Sequence, residues 1–184
     1  MADYTDTDAP WYSHSSDITS VIIGEGITTI GNYAFYQFNS LSSVTVPSTL
    51  TSIGSHAFHN CGVLLSIAIP DGVATIGEEA FMFCSNLTSI TIPNSVTTLG
   101  NHVFRFCNNI SNIYVSWETE VPAWHNLTSK SPQSGITLHV PCSAIDLYNS
   151  ASGWKNYTMV GDEVFTITVT TDDASMGSVA ITVP

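Results

Sequence analysis

Basic side chains are scarce in this sequence. Its 184 residues include three lysines and arginines against 15 aspartates and glutamates, which gives a formal net charge of −12 at neutral pH. Binding to nucleic acid or to an anionic membrane surface depends on clustered Lys and Arg side chains. We therefore expect neither class of partner. Asp3, Asp6 and Asp8 crowd the N-terminus, and we expect residues 1–10 to form a flexible acidic leader.

Motifs of enzymes and of common metal loops are also missing. The sequence contains no G-x-S-x-G, no H-E-x-x-H, no Walker loop and no dinucleotide-binding fingerprint. It lacks the Asp-x-Asp-x-Asp-Gly loop of calcium sites and any apolar run of transmembrane length. We therefore predict a protein that is not an enzyme, needs no cofactor and does not insert into a membrane.

A constant repeat organises most of the chain. Copies of one motif begin at Ile27, Leu50, Val73 and Val96, always at the same spacing and without insertion. A fixed period of this size is the signature of a repeat architecture. Apolar residues alone occupy the columns Ile30/Ile53/Ile76/Leu99, Phe35/Phe58/Phe81/Phe104, Leu41/Leu64/Leu87/Ile110, Val44/Ile67/Ile90/Ile113 and Val46/Ile69/Ile92/Val115. No copy can bury these side chains alone, so the copies must stack and share one interior, which makes the chain a solenoid of four full coils.

Within one copy the pattern predicts a strand, a turn, a short helical turn and a second strand. Residues 73–77 (VATIG) are too short for a helix, and residues 89–93 (SITIP) alternate as a half-buried strand does. Residues 78–84 (EEAFMFC) can make about one helical turn. The glycine column Gly31/Gly54/Gly77/Gly100 predicts either a turn with positive φ or a close approach of two backbones.

The repeated pattern carries a family resemblance. V-T-x-I-G-x-x-A-F-x-x-C-x-x-L-x-S-I-x-I-P, as in residues 96–100 and 80–93, resembles the BspA-like leucine-rich repeat. The resemblance implies a right-handed solenoid with a parallel sheet on its concave side. It also implies a bacterial secreted or cell-surface protein, from a family in which some members act as adhesins for host matrix proteins. The N-terminal residues do not resemble a secretory signal, so either the protein is cytosolic or its signal has been removed by processing, and the family resemblance favours removal.

Both ends of the solenoid, which spans residues 11–160, should be capped. Trp11 and Tyr12 are predicted to shield the first coil, because terminal repeats must present one face to water. Residues 143–151 are predicted to form a helix with a capping-box-like start at Ser143, and this helix should cover the last coil.

Two segments depart from the repeat. Residues 116–135 contain two prolines and two tryptophans without periodicity, which indicates a loop, and residues 136–141 then restore the strand pattern two residues late. Residues 161–184 alternate as a β-hairpin does, and we interpret them as the start of a truncated following β domain or, alternatively, as a strand pair docked on the C-terminal cap.

The four cysteines do not form an obvious disulfide framework. Cys61, Cys84 and Cys107 share a column whose first member is Phe38, which favours buried thiols that fill space in the core. Adjacent coils would set two of them about 5 Å apart, so one disulfide within the column stays open as an alternative. Cys142 follows Pro141 in the C-terminal cap and has no sequence partner.

Side chains between the buried positions of the second strand should point out of the concave sheet. These residues, with an aromatic rim of Tyr114, Trp117 and Trp124, are the predicted ligand-binding surface, which is small, mildly polar and almost uncharged. The predicted ligand-binding residues are Ser43, Thr45, Ser66, Ala68, Ser89, Thr91, Asn112, Tyr114 and Trp117. We expect a monomer that recognises a host or matrix protein or a glycan through them. The alternative is a structural spacer of a surface protein with no ligand of its own.

One row of polar side chains raises the question of a metal. His56, Glu79 and His102 occupy one column in successive copies, with His59 nearby. Such a row can hold a metal ion, but rows of side chains also arise from repetition alone, and Tyr33 in the same column is not a ligand for common divalent ions. The sequence therefore predicts a solvated surface here and no metal site.

Overall fold

The computed structural model describes residues 1–122 and 135–162 of the chain. Over these residues the chain forms ten short β-strands, one α-helix and two turns of 3-10 helix. The strands are β1 (Ser20–Ile22), β2 (Thr29–Ile30), β3 (Ser43–Thr45), β4 (Ser52–Ile53), β5 (Thr75–Ile76), β6 (Ser89–Ile92), β7 (Thr98–Leu99), β8 (Asn112–Val115), β9 (Thr137–Pro141) and β10 (Thr158–Asp162). The α-helix α1 spans Ile145–Ser150, and the 3-10 turns span Tyr12–His14 and Cys142–Ala144.

The strands of successive coils pair in parallel along two sides of a solenoid. On one side, β2, β4, β5 and β7 form a four-stranded sheet in which each residue lies beside its equivalent in the next coil, as Thr29 lies beside Ser52. On the other side, β1 pairs with β3, a single bridge continues from Ser43 to Ser66, and β6, β8, β9 and β10 form a second four-stranded sheet. The predicted repeat and its parallel pairing are confirmed.

The strand register shifts where the sequence pattern shifts. Ser89 of β6 lies beside Asn112 of β8, and Asn112 in turn lies beside Thr137 of β9, so the second step is two positions longer than the first. This difference is the two-residue delay predicted from residues 136–141. The extra residues are accommodated before β9, so the sheet continues across the change of period.

A file of stacked phenylalanine rings runs through the interior. The ring centroids of Phe35, Phe58, Phe81 and Phe104 are 5.3, 5.4 and 5.5 Å apart, with interplanar angles of 12, 5 and 11°. All four side chains are buried. The separation follows from the spacing of adjacent parallel strands, which brings identical side chains of neighbouring coils into contact. The predicted apolar interior is therefore confirmed.

The glycine column marks a close approach of neighbouring backbones rather than a left-handed turn. A Cβ at Gly54 would lie 2.6 Å from the backbone nitrogen of Asn32, and at Gly77 and Gly100 it would come closer still to the backbone of the preceding coil. Among the described glycines, positive φ angles belong to Gly26, Gly135 and Gly153, outside this column. Of the two explanations offered by the sequence, only the close approach holds.

The segment between the two strands of a coil is a run of β-turns, and the expectation of about one helical turn is wrong. The N–H of Met82 donates to the carbonyl of Glu79 at 3.1 Å, but Glu79 and Phe83 have φ angles of +54 and +64°. A right-handed helix cannot pass through such residues. The turn instead directs the N–H of Phe81 to the carbonyl of Val103 in the next coil at 2.9 Å, so it also links coils.

Residues 1–10, expected as a flexible leader, lie against the first coil. The N–H of Tyr4 donates to the carbonyl of Asn32 at 3.0 Å, and the N–H of Asn32 donates to the Asp3 carboxylate at 2.9 Å. The N-terminal amine of Met1 contacts the carbonyl of Thr29. The first coil has no preceding coil among the described residues, and these N-terminal residues satisfy backbone groups that a preceding coil would otherwise satisfy.

Trp11 closes the N-terminal end of the core, as predicted. Its ring stacks on Phe35 with centroids 6.0 Å apart and an interplanar angle of 26°, which extends the file of phenylalanine rings. Its Nε1–H donates to the carbonyl of Ala34 at 2.6 Å. The Tyr12 hydroxyl donates to the side-chain oxygen of Gln37 at 3.0 Å.

An aromatic cluster closes the C-terminal end. Tyr148 of α1 and Trp154 are fully buried, and their rings pack edge to face with centroids 5.3 Å apart. The helix is shorter than the predicted 143–151, and Ser143 lies in the preceding 3-10 turn without capping α1 through its side chain. None of the helices in the described ranges is both long and apolar enough to cross a bilayer. The hairpin predicted at 161–184 lies outside the described residues, except that residues 161 and 162 end β10.

Replacing Phe81 with alanine tests the shared core. We expect Phe81→Ala to lower the free energy of unfolding by about 3 to 5 kcal/mol, because it opens a cavity between two coils. Urea denaturation followed by circular dichroism measures this change. Phe83→Ala is the matched control, since Phe83 is 38% exposed in the same coil, and should cost no more than about 1.5 kcal/mol. Equal losses for the two variants would contradict a shared interior file.

Candidate functional site

The outer side of the second sheet is the candidate surface. It is formed by the outward-pointing side chains of β1, β3, β6, β8, β9 and β10 and of the segment 66–68, and we call it the strand face. The structure exposes the predicted residues Ser43, Thr45, Ser66, Ala68, Thr91 and Tyr114 and leaves Ser89 and Asn112 half-buried. Their outward orientation follows from strand alternation, because the residues between them point into the core. Their role in binding stays a prediction.

Trp117 does not belong to this surface, which corrects the prediction. Its side chain is only 5% exposed, and its Nε1–H donates to the carbonyl of Val96 at 2.9 Å. Its ring packs edge to face against Trp154 with centroids 5.5 Å apart. Trp117 therefore covers the last regular coil, and its ring is not available to a ligand. Trp124, the other tryptophan of the predicted rim, lies outside the described residues.

The strand face contains a histidine that the sequence analysis did not identify. It lies near the C-terminal end of the sheet, between β8 and β10. His139 of β9 is the register partner of Tyr114 in β8. The two rings stack with centroids 4.2 Å apart and an interplanar angle of 21°. Tyr114 remains 38% exposed, so the stacked pair presents an aromatic surface to solvent. We call this pair the Tyr114–His139 platform.

Hydrogen bonds at both ring nitrogens fix the platform. Nδ1 of His139 lies 3.1 Å from each carboxylate oxygen of Asp162 in β10, and Nε2 lies 3.0 Å from Oδ1 of Asn112. The Asn112 amide nitrogen donates to the Ser111 hydroxyl at 3.0 Å, which leaves its oxygen as the acceptor that faces the histidine. One ring nitrogen of His139 therefore lies beside a carboxylate and the other beside an amide oxygen, so both have a polar partner. Because the His139 ring has partners at both nitrogens and stacks on Tyr114, it has little rotamer freedom to lose when a ligand binds.

The sequence contained a signal for His139. Residues 136–141 restore the strand pattern two residues late, so the outward position of this strand that aligns with Tyr114 is His139. The same reasoning did not identify Asp162, because residues 161 and 162 of β10 lie where the sequence suggested the beginning of a different module.

Charge on the strand face is confined to one end. The row that contains Thr91 and Tyr114 runs through Ile22, Thr45, Ala68, Thr91, Tyr114, His139 and Val160. None of these residues is a lysine or an arginine, and His139 with its partner Asp162 supplies the ionisable groups. Hydroxyl groups and small side chains form the middle of the row, and the apolar residues Ile22 and Val160, which are 82 and 43% exposed, lie at its two ends. This surface makes contacts through hydrogen bonds and apolar area rather than through charge.

The three cysteines of the repeat column are buried free thiols, as predicted. Each Sγ donates to the carbonyl of a phenylalanine in the preceding coil, at 3.2 Å from Cys61 to Phe35 and at 3.0 Å from Cys107 to Phe81. Burial raises the pKa of Cys61 and of Cys107 to about 12, and raises the pKa of Cys84 well above its usual range. The thiolate is the nucleophilic form, so these thiols are unsuited to nucleophilic chemistry. Cys142 is exposed.

Thiol titration tests this assignment. We expect one thiol, that of Cys142, to react with an aromatic disulfide reagent in the native protein, and all four cysteines of the sequence to react after denaturation. The physical reason is that burial both excludes the reagent and holds the three column thiols protonated. Absorbance of the released thiolate measures the count. Two or more fast thiols in the native protein, or a denatured count below four without reductant, would contradict the assignment.

A family model and solved structures match the chain. The model described as "BspA type Leucine rich repeat region" matches residues 8–122 as six copies. The T. pallidum leucine-rich repeat protein TpLRR superposes with a TM-score of 0.57 at 20% identity, over 89% of this chain and 79% of the other. A leucine-rich repeat protein from Eubacterium ventriosum gives 0.62 at 26% identity, over 77% of this chain and 38% of the other.

The pneumococcal vaccine antigen PcpA superposes with a TM-score of 0.61 at 16% identity, over 80% of this chain and 42% of the other. The chain thus spans most of the T. pallidum protein and about four tenths of the other two structures. At these identities the likeness to TpLRR and PcpA concerns the fold. No curated protein sequence matches the chain.

Proposed function

Because the chain belongs to the BspA-type leucine-rich repeat family, we propose that it is a non-enzymatic recognition module that holds a protein or a glycan on its strand face. The Tyr114–His139 platform is the observation that carries this proposal. Serine and threonine hydroxyls of the neighbouring coils extend the contact surface from the platform along the solenoid. We place the protein outside the cell or at its surface, as the family resemblance implies.

The platform has the properties of a binding hot spot. Aromatic side chains dominate the energetics of recognition surfaces because they bury a large area while losing few rotamers. Tyr114 is exposed while His139 supports its ring from one side at 4.2 Å. A partner that covers the outer side of Tyr114 therefore buries a ring that is already in place.

The polarity of the strand face indicates the chemistry of the partner. The outward row lacks Lys and Arg, so it offers no paired recognition of phosphate or sulfate groups. It does offer hydroxyls at Thr91 and Thr45, which can donate and accept hydrogen bonds. These groups suit a neutral sugar or an uncharged stretch of polypeptide.

The alternative function is a structural spacer that projects another domain and binds nothing itself. The burial of Trp117 favours it, because that ring covers the core and does not form part of an exposed rim. A spacer needs only stacked coils with closed ends, which the fold provides. The two functions differ in whether the strand face has a partner.

A binding screen against extracellular matrix proteins and a glycan array separates the two. For a partner found in the screen, Tyr114→Ala should weaken binding by about tenfold or more, because it removes the exposed ring of the platform. His139→Ala should weaken binding less, since it removes the support and not the contact. Isothermal titration calorimetry measures both changes, and the melting temperature of Tyr114→Ala should stay close to that of the unmodified protein.

Phe83→Ala is the control, because Phe83 and Tyr114 are each 38% exposed, and Phe83 lies in the turns rather than on the strand face. Its affinity should equal that of the unmodified protein. A partner that binds Tyr114→Ala and Phe83→Ala equally well would show that another surface is used. If the protein binds none of the matrix proteins and none of the glycans, the result favours the structural spacer.

A further inference from the structure

Three potential metal ligands meet on the turn side of the solenoid, away from the strand face. His56 and His59 lie three residues apart in one coil, and Glu79 occupies in the next coil the position that His56 occupies in its own. Stacking of the coils brings these two positions together, as it brings the phenylalanines together. One ligand atom from each of the three residues can be chosen so that all three atoms lie within 4.8 Å of one another.

The distances suit a small tetrahedral ion. Oε2 of Glu79 lies 3.3 Å from Nδ1 of His56 and 3.6 Å from Nε2 of His59. Ligands about 2.0 to 2.1 Å from a tetrahedral Zn²⁺ are about 3.3 Å apart from one another. The two histidine–glutamate separations come near this value.

The site is partly enclosed, and one ring nitrogen of each histidine lacks a hydrogen-bond partner. The side chains of His56, His59 and Glu79 are 21, 13 and 23% exposed. Nδ1 of each histidine is buried without a hydrogen-bond partner, although Nδ1 of His56 lies near the glutamate. A buried imidazole nitrogen without a partner is costly, and a metal ion at Nδ1 of His56 would satisfy it.

Aromatic rings fix both histidines in place. Tyr33 stacks on His56 with centroids 4.5 Å apart, and Tyr36 stacks on His59 at 5.0 Å. Phe83 packs against His59 from the next coil, edge to face, at 5.6 Å. Side chains held in this way present their ligand atoms with little loss of rotamer freedom, which favours binding of an ion.

The surrounding charge also favours a cation. Burial and then the neighbouring His56 lower the pKa of His59, while the carboxylates of Glu79 and Asp6 oppose that shift. Asp6 adds negative charge near the site to that of Glu79. The chain as a whole carries a formal charge of −12.

Repetition alone does not account for the cluster. The positive φ angle of His56 and Glu79 recurs at Tyr33 and His102, so the backbone geometry is common to the column and carries no argument for a metal. The side chains, in contrast, are not repeated. The residues equivalent to His59 in the two neighbouring coils are Tyr36 and Met82, so the repeat itself does not require a histidine there. His102, which the sequence placed in the same row, is not part of the group of three.

We propose that Nδ1 of His56, Nε2 of His59 and Oε2 of Glu79 bind a divalent transition-metal ion, with Zn²⁺ as the ion that the ligand set fits best. Two imidazoles and one carboxylate suit zinc and its neighbours in the transition series better than calcium or magnesium, which take oxygen ligands. Three protein ligands leave a fourth position for water or for a group from a partner. The ion would join two coils through side chains.

Metal titration of the untagged, chelator-treated protein tests the proposal. Titration with Co²⁺ should give the visible absorption of a tetrahedral complex with nitrogen and oxygen ligands, and Zn²⁺ should abolish it by displacement. Calorimetry should show a single Zn²⁺ bound, and the melting temperature should rise with Zn²⁺ concentration because the ion binds the folded state.

Variants locate the ion. His59→Gln and Glu79→Gln should each weaken Zn²⁺ binding by about tenfold or more, since even supporting residues of metal sites have effects of this size. The controls are His102→Gln, in the same column as His56, and Glu78→Gln, which removes the same charge one residue away. Both controls should bind Zn²⁺ within about twofold of the unmodified protein.

The melting temperature of each variant without metal shows that it folds. The absence of a tetrahedral Co²⁺ spectrum in the unmodified protein would overturn the proposal. Equal losses in Glu78→Gln and Glu79→Gln would also overturn it, because the ion would then respond to general negative charge and not to the three ligands.

Discussion

The contact of each coil with the equivalent residues of the next coil is the constraint on which the rest of the structure depends. A single coil cannot enclose Ile76, Phe81, Leu87 and Ile90 by itself, and in the structure these side chains are buried because the coils on either side cover them. The close approach at Gly54 and Gly77 has the same origin. Aromatic side chains cover the first and the last regular coil of the described residues, Trp11 at one end and Trp117, Tyr148 and Trp154 at the other.

The sequence predicted those features that repetition makes visible. The phenylalanine and glycine columns hold the same residue in all four copies, and the cysteine column holds cysteine in three of the four. The physical roles of these residues followed from residue type and period. The conformation of the short turn was harder to predict, because the pattern of Ala80, Phe81 and Cys84 is compatible with a helical turn. The positive φ angles of Glu79 and Phe83 exclude that helical turn in the structure. Propensity says little where backbone hydrogen bonds between coils decide the conformation.

The candidate sites were harder to predict because they lie where the repeat is broken or depend on two columns at once. Trp117 follows the last regular strand, and its sequence did not show whether it turns towards the core or towards solvent. His139 belongs to the strand face only through the two-residue change of register. The group of His56, His59 and Glu79 combines a column contact with a contact across one turn. The sequence analysis placed His59 near the row of His56, Glu79 and His102 but predicted a solvated surface there and no metal site. The candidate sites therefore consist of side chains that differ from the repeated pattern, and the stacked coils hold these side chains in place.

Inserting one additional repeat tests the central claim most directly. A variant with residues 73–95 duplicated in tandem keeps the repeat period and adds one coil between two others that already fit it. If neighbouring coils share one interior, the variant should fold, and its melting temperature and its denaturant m-value should both be higher than those of the unmodified protein. A lower melting temperature, or loss of the cooperative unfolding transition, would show that the coils do not form an interchangeable stack and would contradict the account.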